Sequence, residues 1–221
     1  MKFVMSYSCG KDSTLALHHM LHNGHEAVGL LVMVNQELER SWFHGVDRPL
    51  LERISASLAI PLIPCVCKGE DYHTALETGL RKAKELGAQA CAFGDIDLED
   101  NAKWCKDRCE ATGLLWEFPL WKRGRRELVE EFLSLGYTAL IKCVKNEVLP
   151  QSLLGKPLSP ETVAAMQEAR VDVCGENGEY HTITVDGPIF QFPVDVECRE
   201  ILDFGTISAI NIVVGEKRLS R

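Results

Sequence analysis

The chain lacks any apolar run near the ~20 residues that span a bilayer, so no membrane helix is expected. It lacks internal repeats and low-complexity stretches, which excludes solenoid and linker-like architectures. It has no excess of positive charge: 24 Lys and Arg stand against 32 Asp and Glu, for a net charge of −8. That balance argues against an extended nucleic-acid surface; Lys122-Arg123-Gly124-Arg125-Arg126 is the one local basic candidate. One lysine precedes the first apolar segment, so no secretory leader is expected. No Cys-x2-Cys pair occurs either. Cys65-Val66-Cys67 and Cys105-x3-Cys109 lack finger spacing, although a four-thiolate site is conceivable. Nine cysteines without a leader read as free thiols in a reducing, cytoplasmic compartment, most of them small buried hydrophobes.

What is present is alternation. Apolar runs at Lys2–Ser6, Glu26–Asn35, Ile60–Val66, Ala90–Gly94 and Leu114–Phe118 read as strands. Helical patterns lie between and after them, over Ser13–Asn23, Pro49–Leu58, Asp71–Leu86, Asp97–Thr112 and Arg125–Leu135, several closed by glycine. Alternation of this kind predicts an α/β fold with a Rossmann-like parallel sheet and helices on both faces. Ligands in such sheets bind beyond the carboxyl ends of the strands, which places Tyr7–Ser13, Gln36–Gly45 and Gly94-Asp95 on one rim. Gln36–Gly45 is read as a polar loop holding Trp42, Phe43 and His44. After Gly136 the pattern changes to a strand over Tyr137–Val144, a helix over Ser159–Ala169 and short strands. The expected division is therefore 1–136 and 137–221, the latter a smaller α+β domain.

The segment Ser8-Cys9-Gly10-Lys11-Asp12-Ser13 follows the first strand and opens the first helix. A polar turn between strand and helix presents backbone N–H groups and a helix dipole to an anion. The Walker spacing is absent: Met5 stands where the first glycine would be, and Asp12 separates Lys11 from Ser13. The segment resembles instead the Ser-Gly-Gly-x-Asp-Ser pyrophosphate loop of the N-type ATP pyrophosphatases, with Cys9 in place of the first glycine. The turn is expected to form with Cys9 at negative φ and Gly10 as the permissive residue. The alternative is a structural joint that binds nothing.

A second polar segment, Gly175-Glu176-Asn177-Gly178-Glu179-Tyr180-His181-Thr182, carries two carboxylates, an imidazole and a hydroxyl. Alone it would read as a solvated hairpin loop. Together the two segments resemble the diphthine–ammonia ligase family, and Phe93-Gly94-Asp95-Ile96, Pro119-Leu120-Trp121 and Leu153-Leu154-Gly155-Lys156 agree with it. The resemblance covers roughly residues 1–215. It implies an adenine nucleotide alpha hydrolase-like nucleotide domain and a domain for acceptor recognition. It also implies a reaction in which ATP, ammonia and a carboxylate yield an amide, AMP and pyrophosphate. In the family's best-known members the carboxylate belongs to diphthine on the translocation elongation factor.

On that resemblance, ATP contacts Ser6, Ser8, Cys9, Gly10, Lys11, Asp12 and Ser13, with adenine near Leu31 and Met33 and with Gly94 and Asp95 on the same rim. Lys11 offsets phosphate charge, and Asp12 anchors Mg2+. Glu176, Glu179 and His181 serve the acceptor and ammonia; His44 and Trp42 are secondary candidates. His18, His19, His22 and His25 read as a partly solvated helix face. Rival readings are a small-molecule carboxylate acceptor, sulfur transfer to tRNA through Cys143 or Cys174, and a non-catalytic nucleotide sensor. A homodimer is the assembly expectation, and no glutaminase segment that could supply ammonia is present.

Overall fold

A computed structural model describes residues 1–42 and 44–215; Phe43 and residues 216–221 lie outside it. Two compact units are present, Met1–Arg123 and Gly124–Arg221. Among the described residues no helix is long and apolar enough to cross a membrane.

The first unit runs β1 (Lys2–Ser6), α1 (Lys11–His22), β2 (Glu26–Asn35), β3 (Arg40–Ser41), α2 (Arg48–Leu58), β4 (Leu62–Cys67), α3 (Tyr72–Glu85), β5 (Ala90–Ala92), α4 (Glu99–Thr112) and β6 (Leu115–Glu117). Five strands pair in parallel in the order β4-β2-β1-β5-β6. The sheet grows from β1 in both directions, so its topological switch point lies between β1 and β5. The loops that leave these two strands are those that carry Ser8–Ser13 and Gly94-Asp95.

Both sheet faces are covered, as near-continuous apolar strands require. On one face Val4, Leu31, Ile63 and Phe93 pack with Leu76, Leu80 and Ala83 of α3 and Cys105 and Cys109 of α4. Phe3 and Met5 alternate to the other face and are also fully buried. The loop expected over Gln36–Gly45 contains β3, antiparallel to β2 through Val34–Ser41 and Asn35–Arg40. Asn35 makes this hairpin: its Oδ1 accepts from the N–H of Glu37 at 2.9 Å and of Leu38 at 3.0 Å.

The second unit comprises α5 (Arg125–Ser134), β7 (Thr138–Lys145), a 3₁₀ turn (Gln151–Leu153), α6 (Pro160–Glu168), β8 (Tyr180–Asp186), β9 (Val196–Asp203) and β10 (Ile207–Val214). Its sheet is antiparallel, in the order β8-β7-β10-β9. Ser159 caps α6 in a reciprocal box with Thr162. The boundary expected at residue 136 is corrected by one helix. Helix α5 groups with the second unit, where Arg125 meets Asp172 at 2.6 Å and Phe132 stacks on Tyr137 at 4.9 Å between ring centres.

Gly79 sets how closely α3 lies on the sheet. A Cβ there would fall 2.2 Å from the Cys65 sulfur and 3.1 Å from Leu31 Cδ1. At an exposed helical site, glycine to alanine gains about 1 kcal/mol. Here Gly79→Ala is expected to lose about 1–3 kcal/mol through overpacking. Urea unfolding measures the sign, and a stabilised variant would show that α3 can lift off the sheet at no cost.

Candidate active site

The turn between β1 and α1 is held by its own side chains. Tyr7 is buried, donates its N–H to the Leu31 carbonyl at 2.8 Å and pairs its hydroxyl with Thr14 at 3.1 Å. Ser8 and Ser13 bridge the turn with their hydroxyl oxygens 3.0 Å apart, and the Gly10 N–H donates to Ser8 Oγ at 3.3 Å. Ser13 Oγ donates back to the Gly10 carbonyl at 3.1 Å. Gly10 is the N-cap of α1 and brings no capping side chain. The first-turn amides of α1 therefore keep the positive end of the helix available to an anion. Lys11 is buried, with Nζ 2.7 Å from an Asp12 carboxylate oxygen that stays partly exposed.

The expected division of labour between Cys9 and Gly10 is reversed. Cys9 is the left-handed residue, at φ 69°, and Gly10 lies at φ −78°. Gly10 is needed for space: a Cβ there would stand 2.7 Å from Cε1 of the buried His44 ring. His44, ranked as secondary from sequence, thus forms a wall of the turn. Cys9 is fully buried, and burial pushes its thiol well above the usual range, so it is not poised as a nucleophile.

Gly94 closes the site from the β5 side. A Cβ on it would lie 2.8 Å from the Ser13 nitrogen and 3.0 Å from the Asp12 carbonyl carbon. Only glycine lets the β5 loop approach the helix terminus this closely. Asp95 follows directly. Its carboxyl is pushed up to about 6, first by burial and further by the charge of Asp12.

Beside these loops lies a cavity of about 510 Å³ lined by Ser6, Met33, Trp42, Tyr72, Asp95 and Trp104, among others. Trp42 meets Tyr72 edge-on at 5.7 Å, and Tyr72 lies 6.0 Å from Trp104. Trp104 donates its indole N–H to His73 Nδ1 at 2.8 Å. Met33 lines the cavity as expected, whereas the Leu31 side chain is in the core with 1% exposure. Leu31 can meet a base only through its backbone, and its carbonyl already accepts from Tyr7. The sequence reading missed Tyr72, His73 and Trp104. The available signal was their place near the starts of helices that follow strands, at the ligand rim.

In the second unit, Glu176 and Glu179 lie in the turn that enters β8, and His181 follows on the strand. Asp172, also missed, organises the turn. Its carboxylate accepts from the N–H of Cys174 at 3.0 Å and of Glu176 at 3.2 Å, while Arg125 binds it at 2.6 Å. The Tyr180 hydroxyl donates to the Val173 carbonyl at 2.6 Å, and the Tyr180 ring packs on Gly175. Glu179 accepts from the backbone and the side-chain nitrogens of Asn177, at 3.0 and 3.1 Å. His181 lies on β8, half-buried and opposite Cys143. Cys143 and Cys174 are buried, and burial raises the Cys143 thiol, which disfavours a persulfide relay. The basic run is largely matched by acids: Lys122 with Glu99, Arg125 with Asp172 and Arg126 with Glu130.

The comparisons with known proteins agree across both units. Residues 1–115 match the diphthamide synthase N-terminal domain and residues 124–216 the diphthamide synthase C-terminal domain. The diphthine–ammonia ligases of Bos taurus and Homo sapiens are each 26% identical, over 91% of this chain and 85% of theirs. That of Danio rerio is 25% identical over 90% of this chain and 88% of its own.

Two outcomes follow from the turn and its neighbour. A β-branched side chain tolerates φ near +69° poorly, so Cys9→Val is expected to destabilise the first unit by about 2 kcal/mol or more. Cys9→Gly exchanges left-handed strain for lost burial and is expected to stay within about 1 kcal/mol of the parent. Equal stabilities of the two variants in thermal unfolding would contradict the left-handed assignment. Carboxyl NMR is expected to place the Asp95 titration near pH 6. The folded state then holds this proton more tightly than the unfolded chain, with its ordinary value of ~3.9. The contribution of Asp95 to stability is full below pH ~4, falls as pH rises towards 6 and is constant above. Asp12→Asn should lower the midpoint only in part, because burial is the larger cause; a midpoint near 4 in the parent protein would refute the assignment.

Proposed function

The chain belongs to the diphthamide synthase family, and on that premise we propose that it is an ATP-dependent ligase that joins ammonia to an acceptor carboxylate, releasing AMP and pyrophosphate. The observation that carries this reading is the uncapped start of α1, with two bridged serine hydroxyls and a buried ammonium, beside an aromatic-walled cavity. A triphosphate and its base need these two environments side by side. The names of the related ligases support diphthine as the acceptor; on this reading its carboxylate is carried by the translocation elongation factor.

The roles follow from chemistry. Backbone amides of residues 9–13, with Ser8 and Ser13, hold the β and γ phosphates, which leave together. Lys11 stabilises the charge that develops on them. The base lies in the cavity against Trp42, Tyr72 and Met33, with Ser6 and Asp95 at its edge. Asp12 and Asp95 fit a magnesium ion, since the charge of Asp12 raises the proton affinity of the buried Asp95 and a shared cation would relieve that repulsion. When bound, Mg2+ offsets phosphate charge. The acceptor carboxylate oxygen attacks the α phosphorus and pyrophosphate departs. Ammonia nitrogen then attacks the acyl carbon of the mixed anhydride and AMP departs. Activation is required because a carboxylate oxygen is a poor leaving group, and positioning supplies much of the rate. Glu176 and Glu179 attract the quaternary ammonium of diphthine. His181 accepts the proton that ammonium must lose before nitrogen can attack.

Product analysis with ATP, Mg2+, ammonium and a diphthine-bearing elongation factor tests this. AMP and pyrophosphate are expected only when the acceptor is present, with the acceptor's mass changed from carboxylate to amide. Lys11→Ala is expected to lower kcat/KM by at least 100-fold, about 2.7 kcal/mol of transition-state stabilisation. ADP and phosphate as products would overturn the reading. AMP and pyrophosphate without change to the protein would move the acceptor to another carboxylate.

A further inference from the structure

We propose that the tip of the β9–β10 hairpin is the docking surface for the protein that carries the acceptor carboxylate; this rests on the ligase reading above. The surface is unusual in three ways. Val148, Ile201, Leu202, Phe204 and Ile207 are all exposed, Phe204 at 68%. These are half of the exposed large apolar side chains among the described residues, gathered at one hairpin and one adjoining turn. Register places Leu202 on the same face as Ile207 and Ala209, with Ile201 on the opposite face of the hairpin. Solvent-exposed apolar groups scattered singly need no account, but several gathered at one hairpin tip mark an interaction site.

The tip is also held in place. Asp203 accepts from the Gly205 N–H at 2.8 Å and from the Gln151 side chain at 3.3 Å. The Asn146 side chain donates to the Gly205 carbonyl at 2.7 Å, and its backbone N–H to the Thr206 carbonyl at 2.9 Å. Phe204 donates its N–H to Ile207 at 2.9 Å. A turn whose backbone is fixed in this way has less ordering entropy left to lose on binding, which suits a docking site.

The third feature is location. Lys145 donates its N–H to the Glu179 carbonyl at 2.8 Å, and Lys145 pairs with Ile207 in the adjoining strand. The acceptor turn and the apolar tip thus occupy one end of a single sheet. Glu179 and Ile207 are two strand spacings apart, about 10 Å, and the β9 end is one spacing further, about 15 Å. A protein that places its modified side chain at Glu176–His181 must cover this tip.

Charge states the chemistry of the partner. Glu147, Glu179 and Asp203 lie at this end of the sheet, against Lys145, which is itself within 3.8 Å of Glu147. The complementary surface is an apolar cleft bordered by lysine or arginine. The same acidity excludes a nucleic-acid backbone as occupant.

The test uses Phe204→Ser and Glu147→Lys in the full chain with the diphthine-bearing elongation factor. Both positions are exposed, so the fold is retained. Phe204→Ser is expected to raise KM for the protein acceptor at least tenfold, with kcat and KM for ATP unchanged. Glu147→Lys is expected to weaken the dependence of KM on salt. Amidation by the parent protein with an unaltered KM in Phe204→Ser would overturn this proposal alone. No amidation by the parent protein would overturn it together with the ligase reading. If sedimentation shows a dimer that Phe204→Ser dissociates while KM stands, the patch binds a second copy and the proposal also fails.

Discussion

The first unit depends on the turn that starts one helix. Gly10, the N-cap of α1, brings no capping side chain, and three residues there are shaped to fit. Cys9 takes a left-handed conformation that turns the chain from β1 into the helix. Gly10 yields its side-chain volume to the His44 ring, and Gly94 yields its own to the backbone of Asp12 and Ser13. Each is a local concession of stability, of the kind that persists where a ligand makes use of it. The sheet order explains why they meet: β1 and β5 flank the switch point, so their loops diverge from adjacent strands into the same crevice.

The turn of the second unit that is proposed to meet the acceptor is built on the opposite plan. There a carboxylate, Asp172, supplies acceptors to the Cys174 and Glu176 amides and is itself neutralised by Arg125. Backbone donors are consumed, and the side chains of Glu176 and Glu179 are presented on a rigid turn. One unit thus turns the positive end of a helix towards the proposed anion, and the other turns oriented carboxylates towards the proposed cation. These polarities match the two substrates of the proposed reaction, a polyphosphate and a quaternary ammonium.

Much of the fold was legible because period and punctuation agree. The strands at Lys2–Ser6 and Glu26–Asn35 are observed with the bounds read from sequence, and the glycines that close α4 and α1 stand where expected. The unit boundary was less legible. Helix α5 looks like a fifth helix of the alternating series, and pairings such as Arg125 with Asp172 and Phe132 with Tyr137 tie it to the second unit. Such pairings, 47 positions apart in the first case, leave no trace in local pattern. The Cys9–Gly10 reversal was hidden for a similar reason. Which residue of a turn takes positive φ depends on what packs against it, and His44 is distant in sequence. The aromatic cavity escaped because Tyr72 and Trp104 resemble ordinary helix residues until the strands bring their helix starts together.

An acidic chain for which binding of a polyanion is proposed presents an apparent conflict, and its resolution bears on specificity. The formal charge of −8 is spread over the surface, whereas the phosphate cradle is made largely of backbone N–H dipoles, which carry no net charge. Lys11 is the buried cation there, and it is already partnered by Asp12. The favourable field is thus short-ranged, confined to the first turn of one helix. Surface acids act over a Debye length of about 8 Å at physiological salt. A triphosphate that enters the cradle exchanges long-range repulsion for direct hydrogen bonds. A long polyanion cannot follow, since most of its charges would remain over acidic surface, and the basic run at Lys122–Arg126 is largely matched by Glu99, Asp172 and Glu130. Discrimination between nucleotide and nucleic acid then needs no dedicated barrier. It follows from placing a few uncharged donors inside a negatively charged envelope.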